Sequence, residues 1–179
     1  MTITEKELAE ARINWGKGLI DISSSYDKDG INKANSLASE ILDNLYGFEF
    51  GPILFKPTLS GGIQTFRTDK EGTLSYFIGQ NSEYSSDTGF ALNSWRKSNF
   101  ETSSVFIEND IAMWMGWVMF TDKERNIVKV DKSFCFRRSK SGELKIKPAT
   151  ISIGVKTNNN RRNFDFFASD FFGRTKQIT

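Results

Sequence analysis

The apolar residues change period part-way along the chain. Leu8, Ala11, Trp15, Leu19, Ile22 and Tyr26 recur at three- or four-residue steps and form one stripe on a helix. Thr4-Glu-Lys-Glu7 has capping-box spacing and starts that helix. Gly16 and Gly18 weaken it, and their missing side chains let another element pack close. Asp27-Lys-Asp-Gly30 breaks the pattern. A second amphipathic helix follows, with Ile31, Ala34, Leu37, Ala38, Ile41, Leu42 and Leu45 on its apolar side, and Tyr46-Gly47 ends it. The extended segment from Phe48 to Pro57 suits an edge or a connection, because its prolines cannot donate to a central ladder. Thr68-Asp-Lys-Glu71 opens a short helix through about Phe77, and the polar stretch from Gly79 to Gly89 reads as a surface loop.

From about Ser98 to Ser152 the period falls to two. Four strand-like segments are separated by turns at Glu108-Asn109-Asp110, Asp122 to Asn126 and Ser139-Lys-Ser-Gly142. Helices first and an antiparallel meander afterwards predict an α+β fold, with the helices packed in the concave face of a strongly bent sheet. Residues 1–155 form a single cone-shaped domain in this reading. Residues 156–179 form a polar and then Phe-rich extension, with five phenylalanines between Phe164 and Phe172, and are expected to dock on the sheet or on another subunit.

Composition narrows the chemistry more than it defines it. The 179 residues carry 24 Lys and Arg against 22 Asp and Glu, a net charge of +2, which argues against nucleic acid or an anionic membrane as partner. The chain has no histidine and a single cysteine, Cys135. That excludes an internal disulfide, a Ser-His-Asp triad, a Cys-His pair and a histidine or cysteine zinc site, so neither a metal nor a cofactor is expected. With no apolar run of membrane-spanning length and no signal-peptide pattern, a soluble cytoplasmic protein is the expectation.

Several short motifs then point in one direction. Leu54-Phe-Lys-Pro-Thr58, Arg67-Thr68, Tyr76-Phe77-Ile-Gly79, Asp87-Thr-Gly-Phe-Ala91, Trp95, Asp110-Ile-Ala-Met-Trp-Met-Gly116, Phe120-Thr121 and Gly142-Glu-Leu-Lys-Ile146 stand in an order similar to that of small stand-alone bacterial proteins. These belong to the cystatin-like cone superfamily of nuclear transport factor 2 and the SnoaL-type cyclases. The closest described relatives are the association domain of calcium/calmodulin-dependent protein kinase II and its stand-alone homologues. The resemblance runs from about Glu10 to Ile153. Where the similar proteins continue into a His-His-Ser-Ser-like segment, this chain has Lys147-Pro-Ala-Thr-Ile-Ser152, with Ala149 and Thr150 about where the histidines would be. The resemblance implies pairing of two chains through the sheet, with a larger assembly also open.

Candidate contacts follow from faces and neighbours. Met113, Met115, Trp117 and Met119 share one face of their strand, and Ala112, Trp114, Gly116, Val118 and Phe120 share the other. Both faces are apolar, which predicts cover on both sides and supports a homodimer. Val128, Val130, Lys132, Phe134 and Phe136 share a face of the next strand, placing Lys132 among apolar neighbours. A cross-sheet salt bridge for Lys132 or Asp131 is the plainer alternative. Arg67, before a capped helix, is the leading contact for a carboxylate or phosphate, or else a clamp on Glu71 or Asp69. Trp15, Arg67, Tyr76, Met115, Trp117 and Lys132 are the expected lining of a pocket for a small apolar or carboxylate ligand. Asp87, Glu101 and Asp131 are the weak candidates for a catalytic carboxylate. The leading expectation is a non-catalytic small-molecule-binding or association protein, homo-oligomeric. The alternative is a SnoaL or isomerase-type enzyme using a pocket carboxylate and tyrosine for proton transfer.

Overall fold

A computed structural model describes residues 2–58 and 64–147, and the backbone of 155–157. Helix α1 spans Glu5–Asp29 and α2 spans Ile31–Leu45. The Thr4 hydroxyl accepts from Glu7 N at 3.3 Å while the Glu7 carboxylate accepts from Thr4 N at 2.9 Å, a reciprocal capping box. Gly30, at φ +80°, makes the corner between the two helices. Phe48–Phe50 is a 3-10 turn, so the extended segment expected from Phe48 starts only after Gly51. Helix α3 spans Lys70–Ile78 and is capped by Asp69, whose carboxylate accepts from Gly72 N at 2.8 Å; the cap lies one residue beyond Thr68.

Strands β1 (Trp95–Glu108), β2 (Ile111–Asp122), β3 (Ile127–Arg138) and β4 (Leu144–Lys147) pair antiparallel in chain order. β5 (Val155–Thr157) also pairs with β3, at Val128 to Val130, while β4 takes Cys135 to Arg138. The helices lie against one face of this sheet, the α+β architecture of a cystatin-like cone. The 158–179 extension lies outside the described residues, as do Gly61-Gly62 and residues 148–154.

A break in register between Thr102 and Ser104 shapes the curve of the sheet. Before it, Phe100 and Thr102 point toward the helices; after it, Val105 and Ile107 do, so the alternation along β1 slips by one. Gly116 faces Thr102 across this point, and a Cβ there would stand 2.1 Å from the Glu101 carbonyl oxygen. Only glycine fits that approach.

The core is the concave side. Trp15 stacks edge-on against Phe100, Phe120 and Phe134, and its indole N–H donates to the Tyr46 hydroxyl at 3.1 Å. Burial pushes the Tyr46 phenol upward. The cover expected on both faces of β2 is present on one: Ala112, Trp114, Val118 and Phe120 are buried, whereas Met113 and Met115 are about half exposed. The hydrophobic effect fills the face the helices reach and leaves the other open within one chain.

Candidate active site

Two cations lie under the helices, and each has a different partner. Lys132 extends from the core face of β3 between Val130 and Phe134 and is 3% exposed. Its ammonium group donates to the Thr58 hydroxyl, on the extended segment that follows Pro57. No carboxylate shares its face of β3. Burial draws its pKa from the usual value of 10.5 to about 7; Asp131, on the opposite face of the same strand, opposes this and Lys56 assists it. The amine is therefore neutral for much of its time near neutrality.

Arg67 is 1% exposed and is paired. Its Nη2 donates to Asp87 at 3.0 Å, and the other Asp87 oxygen accepts from the Ser75 hydroxyl at 2.7 Å. The guanidinium lies 4.5 Å from the Tyr84 ring. Gly72 makes this possible, since a Cβ there would come within 2.8 Å of both the Arg67 stem and the Tyr84 hydroxyl. Arg67 Nε and Nη1 are buried with no hydrogen-bond partner among the described residues. A backbone bridge joins Arg67 to Phe55 in both directions, at 2.7 and 3.0 Å. Phe55 in turn meets the Tyr76 ring at 5.5 Å. The segment carrying Thr58 thus ties Arg67, Tyr76 and Lys132 to one region.

Of the residues singled out in the sequence, Trp15, Arg67, Tyr76, Asp87 and Lys132 are buried on the concave side. Arg67 clamps Asp87, not Glu71 or Asp69. With both oxygens engaged, Asp87 holds the arginine in place. Met115 and Trp117 belong to the other face of β2 and do not join this group. Glu101 is also on that outer face, paired with Lys129 at 2.7 Å. Asp131 neighbours Lys132 in sequence but points the other way along the pleat. Thr58, Ser75 and Tyr84 were not singled out. For Thr58 the available signal was its place in the Leu54 to Thr58 motif.

Comparison with known proteins decides the family. A family model described as metal-independent carbonic anhydrase matches residues 6–153. The chain belongs to the metal-independent carbonic anhydrase family. A metal-independent carbonic anhydrase from Nostoc sp. (strain PCC 7120 / SAG 25.82 / UTEX 2576) is 43% identical over 144 residues, covering 80% of this chain and 70% of that one. The crystal structure of the iota-carbonic anhydrase from a cyanobacterium, complexed with bicarbonate, superposes with a TM-score of 0.83 at 42% identity, covering 84% of this chain and 92% of that chain.

This corrects the expectation of a non-catalytic binding or association protein, because the family is one of enzymes. It also replaces the SnoaL or isomerase-type alternative. The lack of histidine, of a triad and of a metal site leans away from an enzyme; membership of a metal-independent carbonic anhydrase family overturns that expectation. Among the described residues no group of three or more Cys, Asp and Glu could hold a metal ion, and no helix is long and apolar enough to cross a membrane.

Proposed function

We propose that this chain catalyses the reversible hydration of carbon dioxide to bicarbonate, with Lys132 as the group that takes and returns the proton. The reading rests on family membership together with one observation: a buried amine held on a hydroxyl, away from any carboxylate on its own face. A neutral Lys132 that donates one N–H to Thr58 keeps its lone pair for a water molecule. The water oxygen attacks the carbon of CO2, a C–O bond forms, and a C=O electron pair moves onto oxygen. The water proton passes to Lys132, which becomes an ammonium beside the new anion and then releases the proton to solvent. The apolar walls around Lys132 suit a nonpolar substrate, and the transient ammonium favours the charged product. Thr58 orients the amine; Arg67, fixed by Asp87, holds the segment that carries Thr58. A bicarbonate-bound relative supports a small anion as ligand.

Stopped-flow CO2 hydration with a pH indicator tests this. Lys132→Met should lower the rate by about 100-fold or more, the range expected for loss of a proton-transfer group. Lys132→Arg should be equally inactive, because guanidinium does not give up its proton at accessible pH. A wild-type rate in either folded variant sinks the assignment of Lys132. No CO2 hydration by the wild-type protein sinks the activity itself.

The wider likeness to SnoaL-type proteins and the kinase association domain is read as shared architecture only. The exposed apolar patch of Phe106, Met113 and Met115, neighbours on the outer face of β1 and β2, supports the homodimer expected through the sheet. Sedimentation velocity should show a dimer that Met113→Asp dissociates; a wild-type monomer would end that reading.

A further inference from the structure

Arg12 on α1 is a buried cation of a third kind. It is 8% exposed, and its guanidinium carbon lies over the Trp114 ring, 4.8 Å from the centroid. Its Nε is buried with no hydrogen-bond partner among the described residues, and no described carboxylate pairs with it. Burying a guanidinium against an aromatic face alone leaves most of its desolvation uncompensated. Such a site is completed by an anion.

There is room for one. A groove of about 370 Å³ runs between α1 and β1, lined by Ala9, Arg12, Ile13, Ser98, Asn99 and Phe100. Gly16, one turn beyond Arg12, brings the two elements together, since a Cβ there would meet the Ser98 hydroxyl at 2.4 Å. Ser98 and Asn99 supply hydroxyl and amide groups; Ala9, Ile13 and Phe100 supply apolar walls. Neither Lys132 nor Thr58 nor Arg67 lines this groove.

We propose that the groove between α1 and β1 is a second binding site, for a small carboxylate with a short apolar body, held by the Arg12 guanidinium fork over Trp114. Guanidinium matches a carboxylate with two parallel N–H bonds, and the apolar walls select against a bare ion.

Sodium benzoate is the probe, with sodium acetate as the counterpart lacking an apolar ring. The readout is the indole N–H resonance of Trp114, which donates to Thr102 at 2.8 Å and so reports directly beneath the guanidinium. Benzoate should shift that resonance saturably, acetate should bind about tenfold or more weakly, and Arg12→Gln should abolish the shift. Arg12→Gln removes a buried group and can perturb folding, so a second variant leaves Arg12 intact. Ala9→Glu places a carboxylate three residues away on the same helical face, where it fills the site from within the chain. It should raise the melting temperature and block benzoate. A shift that does not saturate, one unchanged in Ala9→Glu, or one that follows protein concentration instead of benzoate overturns the proposal. Because binding is read without turnover, it stands or falls separately from CO2 hydration.

Discussion

Lys132 and Arg67 are buried to nearly the same depth under the same helices, yet they are different chemical objects. Arg67 has the Asp87 carboxylate at 3.0 Å, itself held by Ser75. Among the described residues Lys132 has the Thr58 hydroxyl as its hydrogen-bond partner, and burial draws its pKa to about 7. Burial alone does not decide what a cation becomes; the basicity of the group and the partner it meets do. A protein can use the same desolvation to build a rigid strut with one residue and a titrating group with another.

The comparison is sharpest in the pH dependence of stability. The folded pKa of Lys132 lies below its unfolded value of 10.5, so the unfolded chain binds more protons between about 7 and 10.5. Stability from this group is therefore fully present above 10.5 and is lost as pH falls through about 7. The total is on the order of several kcal/mol, and urea denaturation across that window should show a slope that Lys132→Met flattens. An unchanged slope would mean that Lys132 is not the titrating group. CO2 hydration should rise over the same range near pH 7 and level off above it.

Breaking the strut should cost nearly as much. Asp87→Ala strands the Arg67 charge in the core and should destabilise the fold by about 3–5 kcal/mol, as removal of one partner from a buried pair does. A loss below about 1 kcal/mol, the range of exposed pairs, would show that water reaches Arg67. Thr58→Val keeps the side-chain shape but takes away the acceptor for Lys132. It should slow hydration roughly tenfold, equivalent to about 1.4 kcal/mol, while leaving the protein folded. The exposed pair Glu101–Lys129 completes the series: Glu101→Gln should change stability by less than about 1 kcal/mol and leave hydration unchanged.

The helices, their breaks and the turns of the meander were legible because they are local. Thr4 with Glu7, Gly30, and the turn at Asn109 carry their instructions within a few residues. Lys132 was placed on the correct face by alternation alone. Which face of β2 lies inside was not legible, since Met113, Met115 and Trp117 are as apolar as Trp114, Val118 and Phe120; only the helices' position settles it. The partners of the two cations were hidden for a related reason. Thr58 is separated from Lys132 by 74 residues, and Asp87 from Arg67 by 20. No periodicity connects positions that meet only through the tertiary fold.

The slipped alternation in β1 also gives that strand something like a reading frame. From Ser98 to Thr102 the even-numbered side chains are read toward the core, and from Val105 to Ile107 the odd-numbered ones are. A point substitution alters one letter of this message. Deleting Ser103, the extra residue opposite the Gly116–Met115 step, would close the bulge and leave Val105 and Ile107 still facing inward, but it would take away the local bend that the bulge gives the sheet. Length at that point therefore writes the curvature of the sheet, while the identity of Ser103 itself carries little of it.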